Sequence, residues 1–256
     1  MLVLVLDSST PAVTAALAEI GPDTVTVRAE RQVVDARAHG ELLAPQIQGA
    51  LAEVGARPAD LAAIVAGTGP GPFTGLRVGL VTAVSMGQAL DLPTYGVCSL
   101  DAIGLVAAGG GGAGPHADGG GVGPHADGGG VGPHADGGPG PVLVASDARR
   151  REIYWGIYDG AGGRLFGPEV GSPAAAAARA RDHGAVAAVG DGSVRYATQL
   201  DLPVRPEPRF PPAHSLARLA ADRIRTRADS EPLTPLYLRR PDAVAATARK
   251  SVLPSQ

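Results

Sequence analysis

Apolar residues run without interruption over Leu2–Leu6 and stop at Asp7-Ser8-Ser9-Thr10, the pattern of a buried strand feeding a polar turn. Ala12–Ile20 and Thr24–Val33 read as two further strands with Gly21-Pro22-Asp23 as the turn between them, and Thr24-Val25-Thr26-Val27 alternates as a half-buried strand does. The period then changes. Over His39–Val54 the apolar residues Leu42, Leu43, Ile47, Ala50, Leu51 and Val54 share one face of a helix. Pro45 fits only if that helix starts near Ala44 or is kinked there. His39 and Glu41 ahead of it read as solvated or capping groups. Leu61–Ala66 and Pro93–Val97 return to short strands, and Ser99 is the expected N-cap of the helix after the second.

The stretch Gly67–Leu90, G-T-G-P-G-P-F-T-G-L-R-V-G-L-V-T-A-V-S-M-G-Q-A-L, opens as a glycine-proline loop and continues as a helix, with Thr74 as the expected N-cap. Gly75, Gly79, Ala83 and Gly87 recur every fourth residue and form one ridge almost bare of side chains. Each helical glycine costs about 1 kcal/mol relative to alanine, so a compensating contact is expected. Another helix packed closely on the ridge would supply it. Leu76, Leu80 and Val84 flank the ridge, and Leu43 and Ile47 on the preceding helix join it, so these positions are expected to form a contact surface for a second subunit. As a phosphate loop the stretch is weak, since G-P-G-P-F-T-G has neither the phosphate-loop nor the dinucleotide spacing.

Gly109–Pro141 breaks the pattern with three copies of G-P-H-A-D-G-G at a nine-residue period. Its glycine and proline content cannot bury a core, so a disordered insert is expected. The pairs His116/Asp118, His125/Asp127 and His134/Asp136 invite a metal reading, but tandem expansion of a tolerant loop accounts for them better. Beyond it, Val142–Ala145 and Glu152–Tyr158 read as strands of a hairpin, the second half-buried, with Arg149-Arg150-Arg151 read by default as a solvated tip and otherwise as a contact for RNA or an acidic partner. Ala174–Arg181 and Ser215–Arg227 read as helices, Ala185–Val189 as a strand ending in Gly190-Asp191-Gly192, and Pro232–Pro241 as a rigid extended segment. The domain scheme is therefore an N-terminal lobe (1–108), the insert (109–141), a C-terminal lobe (142–241) whose helix over 213–229 is a candidate to pack back on the first lobe, and a tail (242–256).

Composition narrows the chemistry. In 256 residues, a net charge of −3 gives no global field for nucleic acid or an anionic membrane. The one lysine, Lys250, excludes a lysine-dependent phosphate loop. The one cysteine, Cys98, excludes an internal disulfide and reads as a small buried residue rather than a nucleophile. No run approaches the roughly 20 apolar residues of a membrane span, and the start lacks a signal peptide's pattern, so a cytoplasmic protein is expected.

Three strands ending first on an acidic turn are similar to the opening of the actin-like fold, in which that turn carries an aspartate facing phosphate or metal. Asp7 holds that place, with Ser8 and Ser9, and Gly190-Asp191-Gly192 holds a second such turn; together they are the candidate degenerate nucleotide cleft. A carboxylate that merely caps its turn is the competing reading of Asp7.

Four motifs in order, V-L-D-S-S-T, G-T-G-P-G-P-F-T-G-L-R-V-G, S-D-A-R-R-R-E-I-Y-W and P-L-Y-L-R, resemble the TsaB family of tRNA threonylcarbamoyladenosine biosynthesis over nearly the whole chain outside the insert and tail. Pro72 stands where the family usually has Ser, and Gly40 where it has the Ser of H-S-E. The resemblance implies an α/β, two-lobed actin-like (ASKHA, RNase H-like) fold, a mixed sheet with helices, without catalysis of its own. It implies pairing with a catalytic paralogue of the TsaD type, joined by a TsaE-like ATPase, and contact with tRNA through that complex. The complex transfers a threonylcarbamoyl group from its adenylate to the adenosine beside the anticodon. The paralogue holds metal with H-x-x-x-H; the similar place here is C-S-L-D-A-I, with Ser99 and Ile103 where histidines would be. No metal or directly bound cofactor is therefore expected, with ATP or ADP, if anywhere, at or near the subunit interface. A homodimer through the same ridge is the expected form when the paralogue is absent. The rival expectation is a stand-alone ATP-dependent enzyme, a small-molecule kinase or a peptidase-like protein, resting on Asp7 and fold analogy alone.

Overall fold

In the computed structural model, which describes residues 1–110 and 140–239, the chain builds two sheets on one plan. In the first, β1 (Leu2–Asp7), β2 (Ala12–Ile20) and β3 (Val25–Val34) form an antiparallel meander. After α1 (His39–Glu53), β4 (Ala63–Gly67) joins β1 in parallel; after α2 (Phe73–Leu90), β5 (Thr94–Val97) joins β4 in parallel. The strand order is β3-β2-β1-β4-β5. The second sheet repeats the scheme. A meander of β6 (Val142–Asp147), β7 (Ile153–Tyr158) and β8 (Arg164–Gly171) leads through α4 (Pro173–Asp182) to β9 (Ala187–Val189), parallel to β6, in the order β8-β7-β6-β9. Between the sheets lies α3 (Ser99–Leu105), and α5 (Asp191–Arg195) and α6 (Ala197–Leu200) close the second lobe.

The uninterrupted apolar run of β1 now has its cause: helices cover both faces of its sheet. Leu4 and Leu6 face α1 and α2 in a core with Leu43, Ile47, Leu76 and Leu80. Val3 and Val5 face the other way, onto α7 (Ala213–Arg225), through Leu216, Ala217 and Ala220. The chain thus returns from the second lobe to roof the first. The strand β7 is buried on both faces, not half-buried as its alternation suggests, because α4 covers Ile153, Trp155 and Ile157 while α3 packs on the side of Tyr154 and Tyr158. Tyr158 OH donates to Asp101 Oδ1 on α3 at 2.8 Å.

From Ala228 to Arg239 the chain runs extended across both lobes. Tyr95 OH donates to Ala228 O (2.7 Å), Arg223 pairs with Glu231 (2.6 Å), and Leu233 enters the first lobe's core. Leu238 packs in the second lobe, and Arg239 donates to Ala148 O (3.0 Å) and pairs with Glu152. The helix α1 runs through Pro45 without starting at Ala44; the position is solvent-exposed, so the carbonyl that loses its partner there is not stranded in the core. The repeat insert with its three His-x-Asp pairs and the tail 242–256 lie outside the described residues.

Candidate functional site

The turn after β1 explains the bare ridge of α2. Ser8 Oγ donates to Gly75 O (2.8 Å) and accepts from Gly79 N (2.9 Å), so a hydroxyl is inserted into the helical hydrogen-bond ladder. A Cβ on Gly75 would come 2.9 Å from Ser8 O and 3.2 Å from His39 Nε2; one on Gly79 would strike Ser8 Oγ; one on Gly87 would come 2.8 Å from Thr94 Cγ2. The offset for Gly75 and Gly79 is therefore the turn after β1, and for Gly87 the start of β5, all in the same lobe and not a helix of another subunit. This corrects the expected partner surface. Leu43, Ile47, Leu76, Leu80 and Ala83 are buried core residues, and Gly75, Gly79 and Gly87 are covered from within.

What α2 presents to solvent is its opposite face, where Val81 is 60% and Val84 37% exposed beside Arg77 and Gln88. On α1, Ala44, Pro45 and Gln48 are exposed. The helix begins at Phe73, and its N-cap is Pro72, without a side-chain acceptor; Thr74 does not cap it. Nor does Ser99 cap α3, whose N-cap is Cys98.

Ser99 instead holds Asp7. Its Oγ donates to Asp7 Oδ2 at 2.6 Å and accepts from Gly69 N at 3.1 Å. Asp7 Oδ1 accepts from Ser9 N (3.0 Å) and Ser9 Oγ (2.8 Å). Burial pushes the Asp7 carboxyl upward from the usual carboxylate range, against the lowering effect of the bonds from Ser99 and Ser9. The carboxylate therefore ties β1, the glycine loop and α3 together rather than facing an open site. His39 is buried, not solvated, with Nε2 donating to Thr10 O at 2.8 Å.

The second lobe has the equivalent turn. Asp147 Oδ1 accepts from Arg149 N (3.1 Å) as Asp7 Oδ1 does from Ser9 N, and also from Tyr196 OH (3.2 Å), while Oδ2 pairs with Arg195 (3.4 Å). Gly190 has φ 101°, and a Cβ there would strike Ala145 O. Asp191 opens α5, with its Oδ1 buried and without a partner. Burial, then the charge of Asp147, pushes its carboxyl up to about 6.

Between the two turns lies a cavity of about 830 Å³. Of the six residues expected to form a nucleotide cleft, Ser8 lines it; Asp7, Ser9, Gly190, Asp191 and Gly192 pack behind the walls. The lining contains arginines instead: Arg37, Arg149, Arg150, Arg151, Arg195 and Arg239. The run Arg149–Arg151 was visible in sequence but read as a solvated tip, and Arg239 closes the P-L-Y-L-R motif without having been given a role; Arg37 and Arg195 were not singled out, being brought in by separate elements. Cys98 is half-buried with its thiol pushed up to about 12, chiefly by burial, which suits a packing residue rather than a nucleophile. Among the described residues, no group of three His, Cys, Asp or Glu side chains is placed to hold a metal ion, and no helix is long and apolar enough to cross a membrane.

The profile of the TsaD family, tRNA N6-adenosine threonylcarbamoyltransferase, matches residues 32–121. An uncharacterised protein of Mycobacterium tuberculosis is 41% identical over 243 residues, covering 94% of this chain and 93% of its own. The tRNA threonylcarbamoyladenosine biosynthesis protein TsaB of Escherichia coli is 30% identical over 158 residues, 62% of this chain and 55% of that protein. A Pseudomonas aeruginosa crystal structure, described as an uncharacterised protein with similarity to peptidase YeaZ, superposes with a TM-score of 0.63 at 25% identity, over 93% of this chain and 99% of the other. The chain is a TsaB-like protein, similar to the YeaZ family. Its two-lobed α/β architecture is the actin-like fold of that family, with a helix-covered mixed sheet in each lobe.

Proposed function

We propose that this TsaB-like chain is the non-catalytic partner subunit in tRNA N6-threonylcarbamoyladenosine biosynthesis, pairing with a TsaD-like catalytic paralogue served by a TsaE-like ATPase. The observation that carries the reading is the fate of the two positions similar to the paralogue's metal-binding histidines. Ser99 is committed to Asp7 at 2.6 Å, and Ile103 is fully buried between the lobes. Neither offers a metal-ligand side chain. The same geometry disfavours a stand-alone kinase or peptidase, because the Asp7 carboxylate is engaged by three donors behind the cavity wall.

The surface proposed for the paralogue is the outer face of α1 and α2, centred on Val81 and Val84, in place of the buried ridge. Two exposed valines on the outer face of α2 gain by being covered. A homodimer through this face is the form expected when the paralogue is absent. The deciding experiment reconstitutes modification of tRNA with the TsaD-like and TsaE-like proteins, with and without this chain, reading the modified nucleoside by mass spectrometry. Product that depends on the chain, with none from the chain alone, is expected. Equal product without it overturns the proposal, as does ATP turnover by the isolated chain that disappears in Asp7→Ala.

A further inference from the structure

We infer that the P-L-Y-L-R segment (235–239) is a latch between the lobes, coupling the arginine turn 149–151 of the second lobe to the first turn of α2 in the first. The inference goes beyond the partner-subunit reading and does not depend on it.

The segment changes lobes within four residues. Leu236 N donates to Thr68 O (2.9 Å), just past β4. Tyr237 lays its ring against that of Phe73, the first residue of α2, at 5.0 Å between centroids. Leu238 then packs in the second lobe, and Arg239 donates to Ala148 O (3.0 Å) and pairs with Glu152. Upstream the chain is tied to the first lobe, where Glu231 N donates to Thr94 O (2.9 Å) and Leu233 is buried in the core. An extended chain spans only about 3.3–3.6 Å per residue, so a segment anchored at Leu236 and at Arg239 has no slack. Any movement of one lobe against the other is therefore carried by Tyr237 and Leu238.

At its second-lobe end the latch holds a strained element. Arg149, Arg150 and Arg151 have φ of 61°, 53° and 62°, consecutive left-handed residues that carry a Cβ. Such backbone persists only where its surroundings impose it. The Arg239 guanidinium bridges the two residues that flank the turn, Ala148 and Glu152, which are also joined by Ala148 N donating to Glu152 O (3.0 Å).

At its first-lobe end the latch meets a helix start with little else to steady it. The N-cap of α2, Pro72, offers no side-chain acceptor, and Leu76 N donating to Pro72 O (3.0 Å) closes the first turn. Phe73 is 40% exposed and is gripped between Tyr237 and the Arg77 guanidinium, which lies 4.4 Å from its ring centroid. Arg77 stands one turn before Val81, so the stack Tyr237–Phe73–Arg77 leads from the latch to the outward face of α2. The coupling is reciprocal: whatever pins the start of α2 steadies the arginine turn by the same free energy.

Residue-resolved hydrogen exchange on the full chain tests this. Arg239→Met keeps an apolar stem and removes both of the guanidinium's contacts. It should speed exchange at the amides of Ala148, Glu152 and Leu76 by at least ~10-fold while leaving that of Glu231 unchanged. Tyr237→Ala should also speed Leu76, and adding Arg239→Met to it should loosen the turn with no further effect at Leu76. Should Arg239→Met fail to fold, Glu152→Gln, which removes the ion pair alone, should give the same pattern with a smaller change. The inference is overturned if the turn loosens while Leu76 is unmoved, or if the two substitutions act independently at Leu76. Faster exchange at Glu231 would also overturn it, since the whole segment would then have come away.

Discussion

Ser8 Oγ lies 2.9 Å from Gly79 N and 2.8 Å from Gly75 O, a hydroxyl of the first strand-turn seated inside the ladder of α2. Gly75 and Gly79 leave the room it occupies. Gly79→Ala should therefore lower stability by about 1–3 kcal/mol, although alanine is the better helix former by about 1 kcal/mol, because the β1 turn must retreat from the new methyl group. Urea unfolding of the isolated chain reads this directly. A variant as stable as the wild type would show that the ridge was left bare for some other reason.

The outward face behaves differently. Val81 is 60% exposed, so Val81→Arg should change the isolated chain's stability by no more than about 0.5 kcal/mol. It should weaken pairing with the TsaD-like paralogue by at least ~10-fold, since a charge would enter an apolar contact. Size-exclusion chromatography of the mixed proteins, backed by a titration, makes the comparison. Undiminished pairing would remove α2's outer face from the interface.

These two variants mark what was and was not legible in the sequence. Periodicity gave the first meander, β6 and β7 and the longer helices, because helix-covered sheets impose continuous apolar runs on β1 and β6, whereas β8, α5 and α6 went unread. It also gave the four-residue stripe Gly75-Gly79-Ala83-Gly87, but a stripe of small residues states only that something comes close. A helix, a turn and a second subunit all satisfy it, and here the visitor is Ser8, 71 residues earlier than Gly79 in the chain. The cavity arginines were hidden for the same reason. Arg37, Arg195 and Arg239 meet only after α3 and the extended segment to Arg239 have fixed one lobe against the other. Gly190-Asp191-Gly192 looked like a ligand turn because a strand followed by G-D-G is similar to the second turn of the actin-like fold, yet the positive φ of Gly190 is equally what a sharp strand-to-helix junction needs.

Ser99 tests the keystone role of Asp7. Removing its hydroxyl leaves Asp7 Oδ2 buried without its shortest donor and Gly69 N without an acceptor. Ser99→Ala should cost about 1–3 kcal/mol in urea unfolding, with Ser99→Thr recovering part of it if the extra methyl group is accommodated. Loss of stability below ~0.5 kcal/mol in the alanine variant would mean that the carboxylate does not rely on this bond.

Asp191 supplies a signature in pH. Its carboxyl is pushed up to about 6 from an ordinary 3.8, first by burial and then by Asp147, and its Oδ1 has no partner. The folded chain therefore keeps a proton that the unfolded chain releases. The group's contribution falls as pH climbs from about 4 to about 6, and above that the ionised carboxylate opposes folding in full. Asp191→Asn preserves the shape and removes the charge. Below about pH 4 it should match the wild type, and near neutral pH it should be the more stable by about 1–3 kcal/mol. Denaturant titrations across that range should show the two curves diverging between the ordinary and the raised pKa. Parallel curves would mean that Asp191 ionises in the folded protein as readily as in the open chain, and that its buried setting beside Asp147 carries no charge penalty.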